Sequence, residues 1–512
     1  MSWILATPIA IPFLTAVAAY LLRDKPAAGW ISVAGAALLL VASGALMSAV
    51  LADGVIAGQM GTWPAPFGIT LVADLLSAVM VVITAITALA VAVYALGDVN
   101  AAQERMGYHA LFQVLIAGVT GAFLTGDLFN LYVWFEVMLI SSFGLLVLGG
   151  TKEQLDGGIK YVALNLVSTI LFLSGIGLLY GMTGTLNMAD LAVTVPELEN
   201  QGLVTVVAMI FMIAFGMKAA VFPLFFWLPA SYHTPAFSVS AVFAGLLTKV
   251  GVYALIRMFT LVFNGDVGYT HTVLLWVAGF TMVTGVLGAA AQQDFRKILS
   301  FHIVSQIGYM ILGLALFTPL AIVGAVFYLV HHIIVKANLF LVSGVASRLT
   351  GSTELGRIGG LYASAPFLAI LFLIPAFSLA GFPPLSGFWA KYVVVKASLD
   401  AEAWILAAAA LVVGALTIYS MTKIWAEAFW KPHPDGRLPA LSSIPVRDRA
   451  FLIAPIAALA VLTCVIGLAP EPFVQFAERS AEQLLDPSSY VATVLGPDAL
   501  PGEEVARMEG MP

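Results

Sequence analysis

Long apolar runs, most of them about 20 residues or more, recur along almost the whole chain and are separated by short polar connections. A helix needs about 20 apolar residues to cross a bilayer, and only helices or closed barrels satisfy their backbone hydrogen bonds there. Of the 512 residues, 61% are hydrophobic and 10% are charged, whereas a soluble domain carries about 25% charged residues. The sequence therefore predicts an all-α polytopic membrane protein without a soluble domain of useful size.

The apolar runs predict fourteen transmembrane helices, of which the seventh and the twelfth are long and broken by proline. The first run lacks a basic start and a small-residue cleavage site, so it is interpreted as a retained span rather than a signal peptide. The predicted spans are 3–22, 29–52, 70–96, 109–126, 128–149, 158–182, 203–231, 236–263, 272–291, 297–317, 319–347, 365–399, 403–429 and 449–469.

Lysine and arginine are concentrated in alternate connections, and the intervening connections 53–69, 183–202 and 264–271 carry none. Basic residues favour cytoplasmic loops. This distribution predicts that both termini lie outside, which an even number of spans satisfies.

Spans four to eight and nine to thirteen are predicted to form two inverted five-helix repeats. Their broken helices, near 203–231 and 365–399, each carry one central lysine and cross in opposite directions, as in transporters with inverted repeats. The predicted units are three N-terminal helices (1–107), a first repeat (108–263), a second repeat (264–430), and the last helix with an acidic tail (431–512). Within the tail, 473–485 is predicted to form a surface helix and the rest to be solvated and loosely ordered, with contact to a partner as the alternative.

Ionisable side chains are rare within the predicted spans. A charge at the centre of a membrane helix costs about 2.5–3.5 kcal/mol, so such residues usually mark an ion or proton path. We therefore predict a proton pathway that consists of Glu136 in span five, Lys218 in span seven, Lys249 in span eight, His332 and Lys336 in span eleven, and Lys391 in span twelve.

Glu136 and Lys218 have opposite charges, and neither has a partner in its own helix. Buried charges are usually paired, so we expect the two side chains to face each other across spans five and seven. A static ion pair that only orients the helices is the alternative. Four lysines at similar depth favour the pathway.

The histidines of span eleven have different expected roles. His332 and Lys336 are spaced i,i+4 and share a helix face, whereas His331 points elsewhere and is expected to pack or to form a hydrogen bond. Two consecutive histidines without a nearby carboxylate are a poor metal site, so no metal is expected. His302 and the adjacent Ser305-Gln306 either hydrate a channel or tie helices together.

Asp74 and Asp127 lie near the outer ends of spans and are interpreted as solvated helix caps. Cys464 is the single cysteine, which excludes an internal disulfide and an iron–sulfur cluster held by this chain alone. The sequence contains no flavin or nucleotide motif, so neither a cofactor nor a nucleic-acid partner is expected.

Several motifs closely resemble one known family. The stretches are QQDFRKILSFHIVSQIGYM (292–310), HIIVKANLFLVSG (332–344) and LAGFPPLSGFWAK (379–391). They are similar to the proton-translocating antiporter-like subunits shared by respiratory complex I and the Mrp cation/proton antiporters. Within this family, WLPASYHTPAFSVSAVFAGLLTKVGVYALIR (227–257) looks most like the D-type subunits of Mrp antiporters.

The resemblance implies that the six residues above are the family's glutamate, lysine and histidine relay, with lysine at the last site, where some complex I relatives carry glutamate. It also implies a non-enzymatic subunit of a Na+/H+ antiporter in the bacterial inner (plasma) membrane, with other Mrp subunits as partners. Two alternatives remain open: a proton-pumping membrane subunit of complex I, and a structural subunit beside a separate antiporter. Whether Na+ passes through this chain or a neighbour is also open.

Overall fold

The computed structural model describes residues 2–436 and 440–499, which are mostly α-helical. The N-terminal part contains three long helices, with a short antiparallel hairpin between the second and the third that pairs Ile56 with Ala73 and Gln59 with Thr70. Its elements are α1 (Ser2–Leu21), α2 (Ala27–Asp53), β1 (Ile56–Gln59), a 3-10 turn (Met60–Thr62), β2 (Thr70–Ala73) and α3 (Leu75–Asp98).

The next part contains the first broken helix and a π-helical segment that runs directly into α12. Its elements are α4 (Ala101–Arg105), α5 (Tyr108–Leu124), α6 (Leu128–Val147), α7 (Lys152–Thr183), α8 (Met188–Glu197), α9 (Gln201–Ala219), α10 (Trp227–Ser231), α11 (Phe237–Val242), the π segment (Phe243–Leu247) and α12 (Thr248–Leu261).

The remaining part contains the second broken helix and two helices after the last long apolar one. Its helices are α13 (Val267–Ala291), α14 (Phe295–Leu316), α15 (Pro319–Thr350), α16 (Leu361–Ser364), α17 (Pro366–Ala380), α18 (Ser386–Asp400), α19 (Trp404–Ile424) with a π-helical end (Trp425–Trp430), α20 (Val446–Leu468), α21 (Glu471–Leu485) and α22 (Ser488–Leu495). Short 3-10 turns occur at Leu355–Arg357, Leu441–Ser443 and Pro497–Ala499.

The prediction of an all-α polytopic membrane protein is confirmed. Within the described residues, 12 helices are long and apolar enough to cross a membrane, and two further apolar helices, Tyr108–Leu124 and Pro366–Ala380, are shorter. The count of fourteen spans and the inverted repeats remain predictions.

Both predicted helix breaks are present. The first runs from Ala220, which has a left-handed backbone (φ 61°), to the start of α10, and it contains Pro223. The second runs from Gly381 (φ 92°) to the start of α18 and contains Pro383 and Pro384. Proline cannot continue a helical hydrogen-bond ladder, so backbone carbonyls at both breaks are free to accept other donors.

The centre of the bundle is formed by α14, α15 and the continuous stretch Phe237–Leu261, which are buried along almost their whole length. A helix that is apolar all round is normally enclosed by other helices. These three stretches therefore carry the polar groups that are furthest from lipid.

The prediction of a loosely ordered tail outside residues 473–485 is wrong for residues 488–495, which form α22. The predicted helix is present as α21, but its small side chains, including Ala477 and Ala481, are buried against α3, α12 and α15. The side chain of Gln483 also accepts a hydrogen bond from the backbone N–H of Leu75 at 3.0 Å. α22 packs against α8 and β1. A narrow face of small residues lets α21 approach the bundle closely, which overrides the acidic composition. The tail residues after 499 lie outside the described residues.

Candidate proton pathway

Five of the six predicted pathway residues are buried. Lys249, His332 and Lys336 are fully buried, whereas Lys218 and Lys391 retain 8% and 9% exposure. Glu136 is half-buried on α6. The bases thus lie inside the protein rather than at the lipid surface, from the first broken helix to the second.

Lys218 lies in the last turn of α9, directly before the first break. Its Nζ donates a hydrogen bond to Oδ1 of Asn165 on α7 at 3.1 Å and lies 5.4 Å from the ring centre of Phe135. These side chains and Gly251 line a small cavity with about 10 Å³ for water centres, which is room for about one water. Lys218 therefore has one neutral partner and space for a water.

That Glu136 and Lys218 face each other remains a prediction, and no direct ion pair joins them. Neither side chain takes part in an ion pair within 4.0 Å among the described residues, although the charge of Glu136 reaches the ammonium. Instead Asn165, from the middle of α7, accepts the hydrogen bond of Lys218. Asn165 is not among the residues predicted from the sequence, although a lone amide side chain among apolar residues of a span is a signal for a polar contact.

Lys249 lies at the start of α12, just after the π-helical segment. Its Nζ donates to the backbone carbonyl of Ala244 within that segment, at 2.5 Å. A π-helical turn widens the helix and changes which carbonyls are occupied, and such turns are frequent at functional sites. The local widening thus supplies the acceptor for a fully buried ammonium.

His332 and Lys336 lie one turn apart on α15, as predicted. Nζ of Lys336 donates to the carbonyl of Leu299 on α14 at 2.9 Å. Both ring nitrogens of His332 lack a hydrogen-bond partner in the described structure. The ammonium groups of Lys249 and Lys336 both lie close enough to interact electrostatically with this imidazole. α15 thus brings its histidine and lysine close to the lysine of α12.

Lys391 lies on α18 just beyond the second break. Its Nζ donates to the carbonyl of Ala380, the last residue of α17, at 3.1 Å, and lies 5.2 Å from the ring centre of Tyr309. The last carbonyls of a helix lack intrahelical partners and favour a cation. The break therefore creates the binding position of this ammonium.

His331 has the hydrogen-bonding role that the sequence predicts. Its Nδ1 lies 2.8 Å from Oγ of Ser386, which in turn lies 3.0 Å from Oγ of Ser378. Because Ser378 is on α17 and Ser386 is on α18, this chain of contacts ties α15 to both sides of the second break.

Asp74 differs from its predicted role as a solvated cap. It caps α3 by accepting the backbone N–H of Ser77 at 2.9 Å, but it is buried and forms an ion pair with Arg257 of α12 at 2.6 Å. Arg257 is not among the residues predicted from the sequence, although a lone arginine within a span signals a partner. Asp127 is a half-buried cap of α6 that accepts the backbone N–H of Asn130 at 2.7 Å.

The fold and the row of buried bases between two broken helices define a class of multi-span membrane proteins with ionisable groups aligned through their interior. The chain belongs to the family described as NADH:quinone oxidoreductase/Mrp antiporter, transmembrane, whose model matches residues 125–417. The resemblance noted from the motifs is therefore confirmed.

Three similar proteins place the chain within this family. It is 50% identical to the D-type Na+/H+ antiporter subunit of Alkalihalophilus pseudofirmus over 87% of this chain and 90% of that protein. It also matches a chain of the Mrp complex from Dietzia sp. DQ12-45-1b with a TM-score of 0.89 and 34% identity, over 97% of this chain and 100% of that one. A chain of respiratory complex I from Thermus thermophilus matches with a TM-score of 0.79 and 25% identity, over 94% and 99%. The D-type subunit and the Mrp-complex chain are thus more similar to it than this complex I chain.

Proposed function

We propose that this chain is the proton-translocating subunit of a multi-subunit Na+/H+ antiporter of the Mrp type, a transporter subunit rather than an enzyme. The observation that carries the proposal is the row of buried bases from Lys218 to Lys391, each lysine held by a neutral acceptor. The names of its relatives support the same conclusion.

The neutral partners suit groups that gain and lose protons. Among the described residues, none of the four buried lysines has a carboxylate within 4.0 Å. A proton can therefore leave the ammonium without breaking a salt bridge, and the carbonyl or amide oxygen remains to bind it again. Hydrogen bonds from a charged group are worth about 1.5–3 kcal/mol, which is enough to localise a proton and weak enough to release it.

Repulsion between neighbouring protonated bases favours movement of protons along the pathway. Lys249, His332 and Lys336 lie within electrostatic range of one another. A proton that arrives on one of them disfavours a proton on the others, because like charges oppose each other's ionisation. A proton on Lys249 thus promotes release of the protons on His332 and Lys336.

The proton, rather than sodium, is assigned to this chain. Hard cations prefer several carboxylate or carbonyl oxygens, whereas the proposed axis has one half-buried carboxylate and five bases. We assign the sodium route to another subunit of the assembly. A charge that crosses 100 mV releases about 2.3 kcal/mol, and a tenfold concentration gradient costs about 1.4 kcal/mol, so inward protons can drive sodium export.

The proposed location is the bacterial inner membrane, with both termini outside and the other Mrp subunits as partners. The alternating distribution of basic connections supports the orientation. The multi-subunit setting is supported by the matching chain in a structure described as an Mrp complex.

The test replaces Lys249 by methionine in the full complex and measures sodium-induced proton movement in everted vesicles from antiporter-deficient cells. We expect loss of antiport with normal assembly. The matched control is Lys396→Met, because Lys396 is an exposed lysine on the same helix as Lys391 and pairs with Asp400 at 2.6 Å. Full antiport in the Lys249→Met complex would overturn the proposal.

A second candidate is a proton-pumping membrane subunit of complex I, favoured by the fold similarity to the Thermus chain. Purification of the native assembly distinguishes the two. Redox subunits in the purified complex would favour this candidate, and an assembly of membrane subunits alone would favour the antiporter.

A further inference from the structure

His302 on α14 is a fully buried histidine with no hydrogen-bond partner on either ring nitrogen in the described structure. The sequence left its role open between hydrating a channel and tying helices together. A histidine that ties helices would use at least one ring nitrogen to bond a neighbour, as His331 does with Ser386. Two free nitrogens in the centre of the bundle do not fit that role.

Along α14, His302 lies between two residues that contact buried lysines. One turn before it, the carbonyl of Leu299 accepts the hydrogen bond from Lys336. Two turns after it, the ring of Tyr309 lies 5.2 Å from Nζ of Lys391. Residues spaced three or four apart share a helix face, so Leu299, His302 and Tyr309 follow one side of α14. His302 lies between the contact points of the two lysines.

The stretch between His302 and Lys391 is polar. Gln306, one turn after His302, accepts a hydrogen bond from the hydroxyl of Tyr328 at 2.5 Å. The ring of Tyr328 stacks on that of Tyr309 with centroids 5.2 Å apart. Because Tyr328 uses its hydrogen on Gln306, its oxygen is still able to accept a hydrogen bond. The charges of both Lys336 and Lys391 act on His302.

We propose that His302 carries protons between Lys336 and Lys391, with the hydrogen-bonded pair Gln306–Tyr328 as positioning residues on the Lys391 side. This inference deepens the proposed function and rests on it. The proton leaves Nζ of Lys336 for one nitrogen of the imidazole, and the other nitrogen releases its proton toward Nζ of Lys391. After both steps the ring has gained one N–H and lost one, so its charge is unchanged by the complete relay.

The first test compares His302→Gln with His302→Lys in the full complex, using sodium-induced proton movement in everted vesicles. Glutamine is polar but cannot carry a proton, so we expect antiport to fall about a hundredfold, the scale of a lost proton-transfer group. Lysine can carry a proton, so we expect it to retain more antiport than glutamine. A merely structural role predicts the reverse order, because glutamine is the closer match in size and hydrogen bonding.

The matched control is His271→Gln. His271 is a buried histidine on α13 whose Nδ1 lies 3.1 Å from Oγ1 of Thr270 and whose ring packs against Phe317 with centroids 4.5 Å apart. We expect it to leave the transport rate unchanged. Wild-type antiport in His302→Gln, or higher antiport in His302→Gln than in His302→Lys, would overturn the inference.

If the His302 variants do not assemble, Tyr328→Phe provides the test, because it removes only the hydroxyl. We expect about a tenfold slower transport, equivalent to one lost hydrogen bond on the path. A wild-type rate in Tyr328→Phe would overturn the inference in that case. Loss of antiport in Lys249→Met together with a normal rate in His302→Gln would overturn this inference alone, whereas full antiport in Lys249→Met would overturn the proposed function.

Discussion

The substitution Asn165→Asp should trap a proton at Lys218. The amide oxygen of Asn165 accepts the hydrogen bond of Lys218 at 3.1 Å, and its nitrogen donates to the carbonyl of Tyr161 at 2.8 Å. Aspartate has nearly the same size, so the change places a carboxylate at the same distance from the ammonium. Two opposite unit charges at 3.1 Å attract by about 5 kcal/mol at an effective dielectric constant of about 20.

Part of that attraction is offset by the cost of burying the new carboxylate. If about half remains, the ammonium is stabilised by about 2.7 kcal/mol, and release of its proton slows by about a hundredfold. We therefore expect antiport by the Asn165→Asp complex to fall by about two orders of magnitude. Because a neighbouring negative charge favours the protonated lysine, the remaining activity should shift toward more alkaline pH.

The assay measures the initial rate of sodium-induced proton movement in everted vesicles across a pH series, after assembly has been checked by co-purification. The matched variant is Asn165→Leu, which removes the acceptor without adding a charge. It should lower antiport by about tenfold, through one lost hydrogen bond, with no alkaline shift. A wild-type rate and pH profile in the assembled Asn165→Asp complex would refute the argument that Lys218 must release its proton.

Three further predictions concern packing, the buried ion pair and pH. Gly251→Ala should slow antiport, because the new Cβ would lie 2.5 Å from the backbone nitrogen of Ala219, the residue after Lys218. Gly177→Ala is the control and should leave the rate unchanged, because no atom lies within 4 Å of the position of its Cβ. Equal antiport rates in the two variants would contradict this prediction. Asp74→Ala should destabilise the purified complex by about 3–5 kcal/mol, measured by thermal unfolding, because it leaves Arg257 buried without its partner; unchanged stability would rule this out. Burial and the nearby Lys297 lower the pKa of His233, in the loop before α11, from 6.5 to about 4. Between these values the unfolded chain binds the extra proton, so stability falls as the pH falls. His233→Gln should therefore reduce the loss of thermal stability over that range, and an identical acid response would contradict the assignment.

The membrane class and the two helix breaks could be predicted from the sequence because both depend on local properties. An apolar run of about 20 residues is sufficient to predict a span, and proline interrupts a helix wherever it occurs in the interior. The lysines were found for a similar reason, since a charge within an apolar run is conspicuous without any knowledge of its neighbours. The spacing of His332 and Lys336 likewise follows from helix geometry alone.

The partners of the buried bases could not be predicted in this way. Lys336 bonds the carbonyl of a residue 37 positions away, and Lys218 bonds an amide 53 positions away. Every residue has a backbone carbonyl, so the sequence does not indicate which carbonyl accepts the hydrogen bond of a given lysine. For the same reason the sequence did not predict that Asn165, brought next to Lys218 by the packing of α7 against α9, accepts the hydrogen bond of that lysine.

By itself the sequence determined that this chain enters a bilayer, where its helices break, and which bases lie within its spans. These features depend only on short segments: the free energy of moving an apolar segment out of water decides whether it spans, and the missing backbone N–H of proline decides where a helix breaks. Only the tertiary structure decided which oxygen holds each base, that His302 lies between two of them, and that α21 docks on the bundle. These features depend on how helices distant in sequence pack together, and many sequences with the same apolar pattern would pack differently.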